Sequence, residues 1–265
     1  MQDVTGYPWR QIAITGASSG LGRALAVAAA APGVTLHLTG RDAARLDGAA
    51  TACHAAGATV ATTVLDVRDA AACAAWIGGI AQLDLLIANA GISGGPGTGT
   101  EPSEQVRRVF ETNVSGVLNT ALPAMDRMAL QPAGADGVRG RVAVVASVVG
   151  FVASPSAPAY AASKAAVQRW AEATDATSRR RGVRLHAVCP GFIRTPMTVS
   201  NRFPLPFMIS AEQAAARTLA GLAAGRLRVA FPRRTYWLSR LVGALPASLL
   251  ALGARAVPAK DVNAA

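Results

Sequence analysis

The sequence predicts an α/β fold: a doubly wound, mostly parallel sheet of seven strands with helices on both faces, in a single domain. Three observations carry this prediction. Short apolar runs alternate strictly with longer Ala-rich segments, the pattern of parallel strands linked by crossover helices. A glycine-rich turn, residues 16–22, joins the first run to the first Ala-rich segment. Of 265 residues, 51% are apolar and only 15% charged, which excludes general disorder and supplies a substantial core.

The elements follow in order. Residues 11–15 read as a buried strand, and residues 20–31 as a helix stopped by Pro32-Gly33. Strands at 34–39, 59–65 and 83–88 alternate with helices at 42–56 and 69–80. A long helix at 103–128, capped by Ser103, precedes a strand at 141–146. A helix at 157–181, a strand at 183–188, a helix at 212–224 and a strand at 227–231 complete the pattern. Residues 91–102 and 131–140 read as loops inside one domain, because no linker separates two cores. No repeat of fixed period supports a solenoid. One domain is expected over residues 10–231, and residues 232–265 form a basic, apolar extension.

Three scattered cysteines, Cys53, Cys73 and Cys189, make neither a disulfide framework nor a CxxC metal site and fit a reducing compartment. The first six residues carry no basic or apolar run, so no secretory signal is expected. Residues 241–254 are apolar but short and contain Pro246, whereas a spanning helix needs about 20 residues. A cytoplasmic protein follows, with peripheral attachment to a membrane surface as the addition to be weighed. Charge is unevenly spread: residues 1–212 hold 18 basic and 14 acidic side chains, and residues 213–265 hold eight basic ones against Asp261 alone. The excess is local. It points to a local anionic partner and not to a nucleic-acid enzyme.

The chemistry-bearing residues come next. In Thr15-Gly16-Ala17-Ser18-Ser19-Gly20-Leu21-Gly22, glycines between strand and helix let the backbone approach a pyrophosphate that the helix N-terminus stabilises. An ordinary strand-to-helix turn uses glycine too. Without Gly-Lys-Ser/Thr, a nucleoside triphosphate loop is disfavoured. The second strand ends Leu38-Thr39-Gly40-Arg41. An acid in that place binds the ribose 2′-OH of NAD, whereas Arg41 suits a 2′-phosphate, so NADP(H) is preferred and NAD(H) is the alternative. A solvated helix-start arginine is the bland reading.

Tyr160 and Lys164 fall four residues apart on one helix face. An ammonium beside a phenol lowers its pKa, and bringing it from about 10 to about 7 corresponds to roughly 4 kcal/mol. Such a tyrosine serves as general acid or base. A helix-surface pair is the competing reading, but Lys164 is one of only two lysines in an arginine-rich chain. His37, His54 and His186 are dispersed, so no metal site is expected. Gly91-Ile92-Ser93-Gly94-Gly95 matches the hydrolase nucleophile elbow in letters, but Ser93 lacks the helix that motif requires.

Taken together, these motifs resemble the short-chain dehydrogenase/reductase family over roughly residues 10–231. The resemblance rests on Gly16 to Gly22, Asp66-Val67, Asn89-Ala90-Gly91, Asn113, Ser147, Tyr160 with Lys164, and Pro190-Gly191 followed by Thr195. It implies a Rossmann-type domain interconverting a carbonyl and an alcohol. It implies that Asp66 contacts adenine, with Val67 beside it, and that Asn89, Ala90 and Gly91 line the cofactor channel. Ser147 would bond the substrate oxygen, Tyr160 would exchange its proton, and Lys164 would hold the nicotinamide ribose and depress the Tyr160 pKa. Asn113 would anchor a water in the proton relay, and Pro190, Gly191, Ile193 and Thr195 would hold the carboxamide end. Ser19 departs from the basic residue that some NADP-using members carry there, leaving Arg41 as the main argument for NADP(H). A homodimer or homotetramer is expected. A non-catalytic nucleotide-binding sensor on the same fold is the alternative function.

The resemblance implies that the catalytic domain, residues 10–231, includes a substrate lid at about 196–212. That stretch contains Phe203-Pro204-Leu205-Pro206-Phe207-Met208-Ile209 and almost no charge, which suits an apolar carbonyl or alcohol, although the same side chains would also serve packing. Residues 226–256 set six arginines around Phe231, Tyr236, Trp237 and a leucine cluster without an acid. That composition fits either an anionic membrane surface or a subunit contact.

Overall fold

The computed structural model describes residues 6–97, 99–199, 207–246, 248–250 and 260–261. Seven strands form one sheet: β1 (Gln11–Thr15), β2 (Thr35–Gly40), β3 (Thr59–Val64), β4 (Leu85–Ala88), β5 (Gly140–Val145), β6 (Val183–Pro190) and β7 (Arg228–Phe231). Their order is β3-β2-β1-β4-β5-β6-β7, and every pair is parallel. The predicted fold is therefore the observed one. Strand alternation feeds two apolar layers: Ile12 and Ile14 pack on one face with Leu25 and Leu219, while Ala13 between them faces the other layer with Val117 and Met128.

The helices are α1 (Gly20–Ala29), α2 (Ala43–Ala55), α3 (Ala70–Gly78), α4 (Ser103–Phe110), α5 (Gly116–Leu130), α6 (Pro158–Ser178), α7 (Pro196–Val199), α8 (Ala211–Ala223) and α9 (Arg233–Gly243). Local chemistry sets several starts. Asp42 caps α2 by accepting from the Arg45 N–H, Asp69 caps α3 by accepting from Ala72, and Ser210 with Gln213 forms a capping box on α8.

Three expectations need correction. The helix expected at 103–128 is divided by a π turn at Glu111–Ser115, so α4 and α5 are separate. Ser103 does not cap it; Pro102 holds that place and no side chain bonds the first turn. The helix expected at 157–181 ends as α6, and a 3₁₀ turn, Arg179–Arg181, leads to left-handed Gly182. Within the extension, residues 233–243 form helix α9, which packs on the 3₁₀ turn Val148–Phe151 through a Tyr236–Phe151 edge contact at 5.5 Å. Other bounds shift by a residue or two. Residues 200–206 of the expected lid, and 251–259 of the extension, lie outside the described residues. Among the described residues no helix is long and apolar enough to cross a membrane.

One buried ionic cluster ties α6 to β6. The Asp175 carboxylate accepts from the Leu185 N–H at 2.9 Å, from Arg184 Nε at 3.0 Å and from Arg179 Nε at 2.7 Å. Burial pushes its pKa up, but these hydrogen bonds outweigh that and hold it below the ordinary value. Asp175→Ala should therefore cost about 3 kcal/mol at pH 7 in denaturant unfolding. The Asp175 contribution is present above the unfolded carboxyl value of about 4 and is lost as pH falls through the lower folded value. The gap between wild type and variant should narrow on acidification; a gap independent of pH would contradict this assignment.

Candidate active site

A cleft of about 420 Å³ opens at the carboxyl ends of the strands, where β1 and β4 diverge. It gathers Gly16, Ser18, Ser19, Gly20, Leu21, Arg41, Asp66, Val67, Asn89, Ala90 and Gly91 at one end, and Ser147, Tyr160, Lys164, Pro190, Gly191, Ile193 and Thr195 toward the other. Of the residues expected there, Gly22 and Asn113 do not line it. Both act from behind.

The nucleotide half is built on a clamp. Thr15 Oγ1 accepts from the Asn89 and Ala90 N–H groups, each at 3.0 Å, and Asn89 Nδ2 donates to the Thr15 and Gly16 carbonyls at 3.0 and 3.3 Å. Asn89 thus spends its amide on holding the glycine turn. A Cβ at Gly16 would lie 2.9 Å from Ala90 Cα, and one at Gly22 would overlap the Gly16 carbonyl, so close approach requires glycine at both positions. No side chain caps α1 and no acid occupies its first turn, which leaves its N-terminus open to an anion.

Arg41 follows β2 directly and reaches the cleft beside Asp42 and Arg45. Asp42, the acid nearest that end, is committed elsewhere: one oxygen caps α2 and the other pairs Arg45 Nε at 3.2 Å. Asp66 is held by Arg68, through Nη2 at 2.7 Å and Nε at 3.0 Å to one oxygen, and this hydrogen bonding lowers its pKa. Sequence reasoning missed Arg45, Thr39, Thr112 and Thr198, all of which line the cleft. A signal existed for Arg45, which stands one helical turn beyond Arg41. Thr198 also had one, as a hydroxyl residue three beyond Thr195 across Pro196; its Oγ1 accepts from the Thr195 N–H and donates to the Ile193 carbonyl at 2.6 Å. Thr39 and Thr112 had none.

In the chemical half, Asn113 lies fully buried in the π turn. Its Oδ1 accepts from the Ile92 N–H at 2.8 Å, and Nδ2 donates to Ile92 O at 2.9 Å and Ser163 Oγ at 3.0 Å. Both amide hydrogens are spent on protein groups, so the side chain positions the 91–92 segment and α6. Ser147 Oγ accepts from Val149 N–H at 3.2 Å and sits within 3.4 Å of the Pro190 carbonyl. Lys164 Nζ donates to Val145 O at 2.7 Å and lies 5.7 Å from the Tyr160 ring centre. The expected depression of the Tyr160 pKa by Lys164 is not found. Burial pushes the Tyr160 phenol up, and the opposing influence is a hydrogen bond from Ser147. The Lys164 ammonium points at a carbonyl, and burial lowers its own pKa to about 8. Ser93 lies in a loop, with Lys260 Nζ donating to its Oγ at 2.8 Å and no helix following.

Residues 10–204 match the short chain dehydrogenase family. The chain belongs to it. An uncharacterized oxidoreductase of Myxococcus xanthus is 34% identical over 251 residues, covering 93% of this chain and 97% of that one. A short-chain dehydrogenase/reductase from Burkholderia phymatum, solved in complex with NAD, superposes with a TM-score of 0.77 at 25% identity over 89% of this chain and 93% of the other. A short-chain dehydrogenase from Sphingobium yanoikuyae in complex with NADPH gives 0.76 at 26% identity over 93% and 94%. This short-chain dehydrogenase is an oxidoreductase acting on CH–OH donors with NAD(P). Its own features fit that group: a glycine cradle that a Cβ would fill, an uncapped helix N-terminus, and Thr39 Oγ1 buried in the cleft wall without a partner.

Lys164 carries a stability cost with a defined pH window. Its pKa falls from 10.5 to about 8 on folding, so the unfolded chain binds more protons between those values and stability rises with pH across them. The cost is full below about pH 8 and absent above about 10.5. Allowing for the lost bond to Val145, Lys164→Met should stabilise the cofactor-free protein by about 2 kcal/mol at pH 7. Near pH 10.5, where the protonation cost is gone, only the lost Val145 bond remains and the variant should be the less stable by about 1 kcal/mol. Urea unfolding of both proteins at the two pH values checks this, and a destabilised variant at pH 7 contradicts it.

Proposed function

We propose that this short-chain dehydrogenase interconverts an apolar carbonyl and its alcohol with NADP(H), using Tyr160 as the proton-exchanging residue. The observation that carries the cofactor choice is the end of β2: Arg41 and Arg45 face the cleft, while the nearby acids are committed, Asp42 to capping α2 and Asp66 to Arg68. A 2′-phosphate suits two guanidinium groups, whereas a ribose diol needs a free acceptor. The apolar substrate rests on charge placement. Apart from Lys164, the charged side chains lining the cleft among the described residues are Arg41, Asp42, Arg45 and Asp66, all at the adenosine end. Ile92, Pro196 and Met197 line the other end.

When bound, the nicotinamide supplies or accepts the hydride. The chain supplies the rest. Ser147 Oγ, fixed near the Val149 N–H, orients the substrate oxygen, and the Tyr160 phenol, kept protonated by burial, gives its proton to that oxygen in the reductive direction. Lys164, fixed at Val145, offers its remaining hydrogens to the ribose and resupplies positive charge when the phenolate forms. Asn113 acts as a positioning residue by locking Ile92 and Ser163.

Tyr160→Phe keeps the ring and loses the proton, so kcat should fall by about 10²–10⁴ with NADPH affinity nearly unchanged; turnover near wild type contradicts the proton role. For the cofactor, Arg41→Ala should weaken NADPH by about 1.5–3 kcal/mol in titration calorimetry and leave NADH almost unaffected. Equal losses for both, or a wild type that prefers NADH, would overturn the NADP(H) reading.

A further inference from the structure

Helix α9 turns one face to the domain and leaves the other to solvent. Inward, Thr235 is buried, Tyr236 meets Phe151, and Gly243 passes so close that a Cβ would overlap the Phe151 carbonyl. Outward stand Trp237, Leu238 and Leu241, exposed by 61%, 52% and 68%. Leu245 and Leu249 continue the exposed apolar series at the same spacing of four residues. A contiguous apolar patch of this kind marks an interaction site.

The arginines of this region divide into two sets. Arg228 is neutralised by a bidentate pair with Glu172, at 2.6 and 2.8 Å, and Arg240 stacks over the Phe151 ring at 5.5 Å. Arg233 and Arg234, at the start of α9, are exposed and make no ion pair with any described residue. Arg234 lies 5.9 Å from the ring of half-exposed Phe207, and the first turn of α9 abuts cleft residue Gly191, where a Cβ would come within 3.2 Å of Thr235. The apolar face, the unpaired cations and the cleft therefore adjoin.

We propose that the outward face of α9 docks on an anionic lipid surface, with Trp237, Leu238 and Leu241 entering the headgroup layer and Arg233 and Arg234 meeting lipid phosphates. Charge chooses this occupant. Of the eight basic side chains that residues 213–265 set against one acid, Arg228 is spent on Glu172, while Arg233 and Arg234 stand exposed on α9; the attraction to an anionic bilayer adds up over such exposed cations. A two-fold contact of this face with a second copy would offer Arg233 and Arg234 no acid from the facing α9, which carries none. A nucleic acid would meet the cations but leave the leucines without partners. Because α9 has 11 residues, it lies along the interface and does not cross it. Docked so, the cleft edge at Phe207 and Gly191 lies beside lipid, where an apolar carbonyl partitions. That last consequence rests on the apolar-substrate reading; the docking does not.

Vesicle flotation of the full-length protein reads docking without any substrate, so the two ideas fail separately. Vesicles of phosphatidylglycerol and phosphatidylcholine in equal parts should carry the protein, and pure phosphatidylcholine should carry about tenfold less or lower. High salt should release most of it. Trp237 emission should shift to the blue on the anionic vesicles, and Trp237→Phe should remove the shift. Trp237→Ser with Leu241→Ser, and separately Arg233→Glu with Arg234→Glu, should each cut flotation by about tenfold or more. Arg180→Glu, on an exposed basic turn elsewhere, should leave it unchanged. Retained NADPH binding certifies each variant as folded, and Trp237→Phe alone carries the test if a double variant does not fold. Absence of flotation, flotation indifferent to the α9 substitutions, or an oligomeric mass that Trp237→Ser with Leu241→Ser reduces while vesicles go unbound would each overturn the proposal.

Discussion

The site depends on the clamp between the ends of β1 and β4. Thr15 Oγ1 takes two N–H groups from Asn89 and Ala90, and the Asn89 amide returns two bonds to the carbonyls of Thr15 and Gly16. These four bonds cross the point where the sheet order reverses, joining loops that would otherwise be free to separate. They fix the glycine turn and, through it, the open N-terminus of α1. They also fix where Gly91 passes Lys164, since a Cβ on Gly91 would come within 3.3 Å of the ammonium. The two halves of the cleft are set from one hinge of backbone polar groups.

The chemical half is held in a related way, by buried polar side chains that bond backbone in preference to one another. Lys164 bonds Val145 O, Asn113 bonds both polar groups of Ile92, and Ser147 accepts from Val149. Each bond removes a buried donor or acceptor from the unsatisfied list and fixes a rotamer at the same time. The cost appears in protonation. Burial opposes both the phenolate of Tyr160 and the ammonium of Lys164, a cost that a ligand of complementary charge can offset.

The sheet and most of the site were legible in the sequence because both are written in local patterns. Four-to-six-residue apolar runs such as Leu85–Ala88 have one way to be buried on both faces, and glycines such as Gly16 and Gly22 have no room for a side chain. What escaped is set by tertiary contact. The π turn around Asn113 arises from bonds to Ile92 and Ser163, far away along the chain. Helix α9 reads as an arginine-rich tail until Phe151 and Glu172 supply partners for Tyr236, Arg228 and Arg240. The Tyr160–Lys164 spacing was visible, but the direction of the Lys164 ammonium depends on Val145, which no helical pattern reveals.

The most direct measurement is the loss of NADPH absorbance when purified protein is offered a panel of aldehydes and ketones, run in parallel with NADH. NADPH oxidation with apolar carbonyls, weak or no oxidation with carboxylate-bearing ones, and a much slower reaction with NADH is the predicted result. NADPH that binds but is oxidised by no carbonyl in the panel, or turnover confined to charged substrates, would contradict the account.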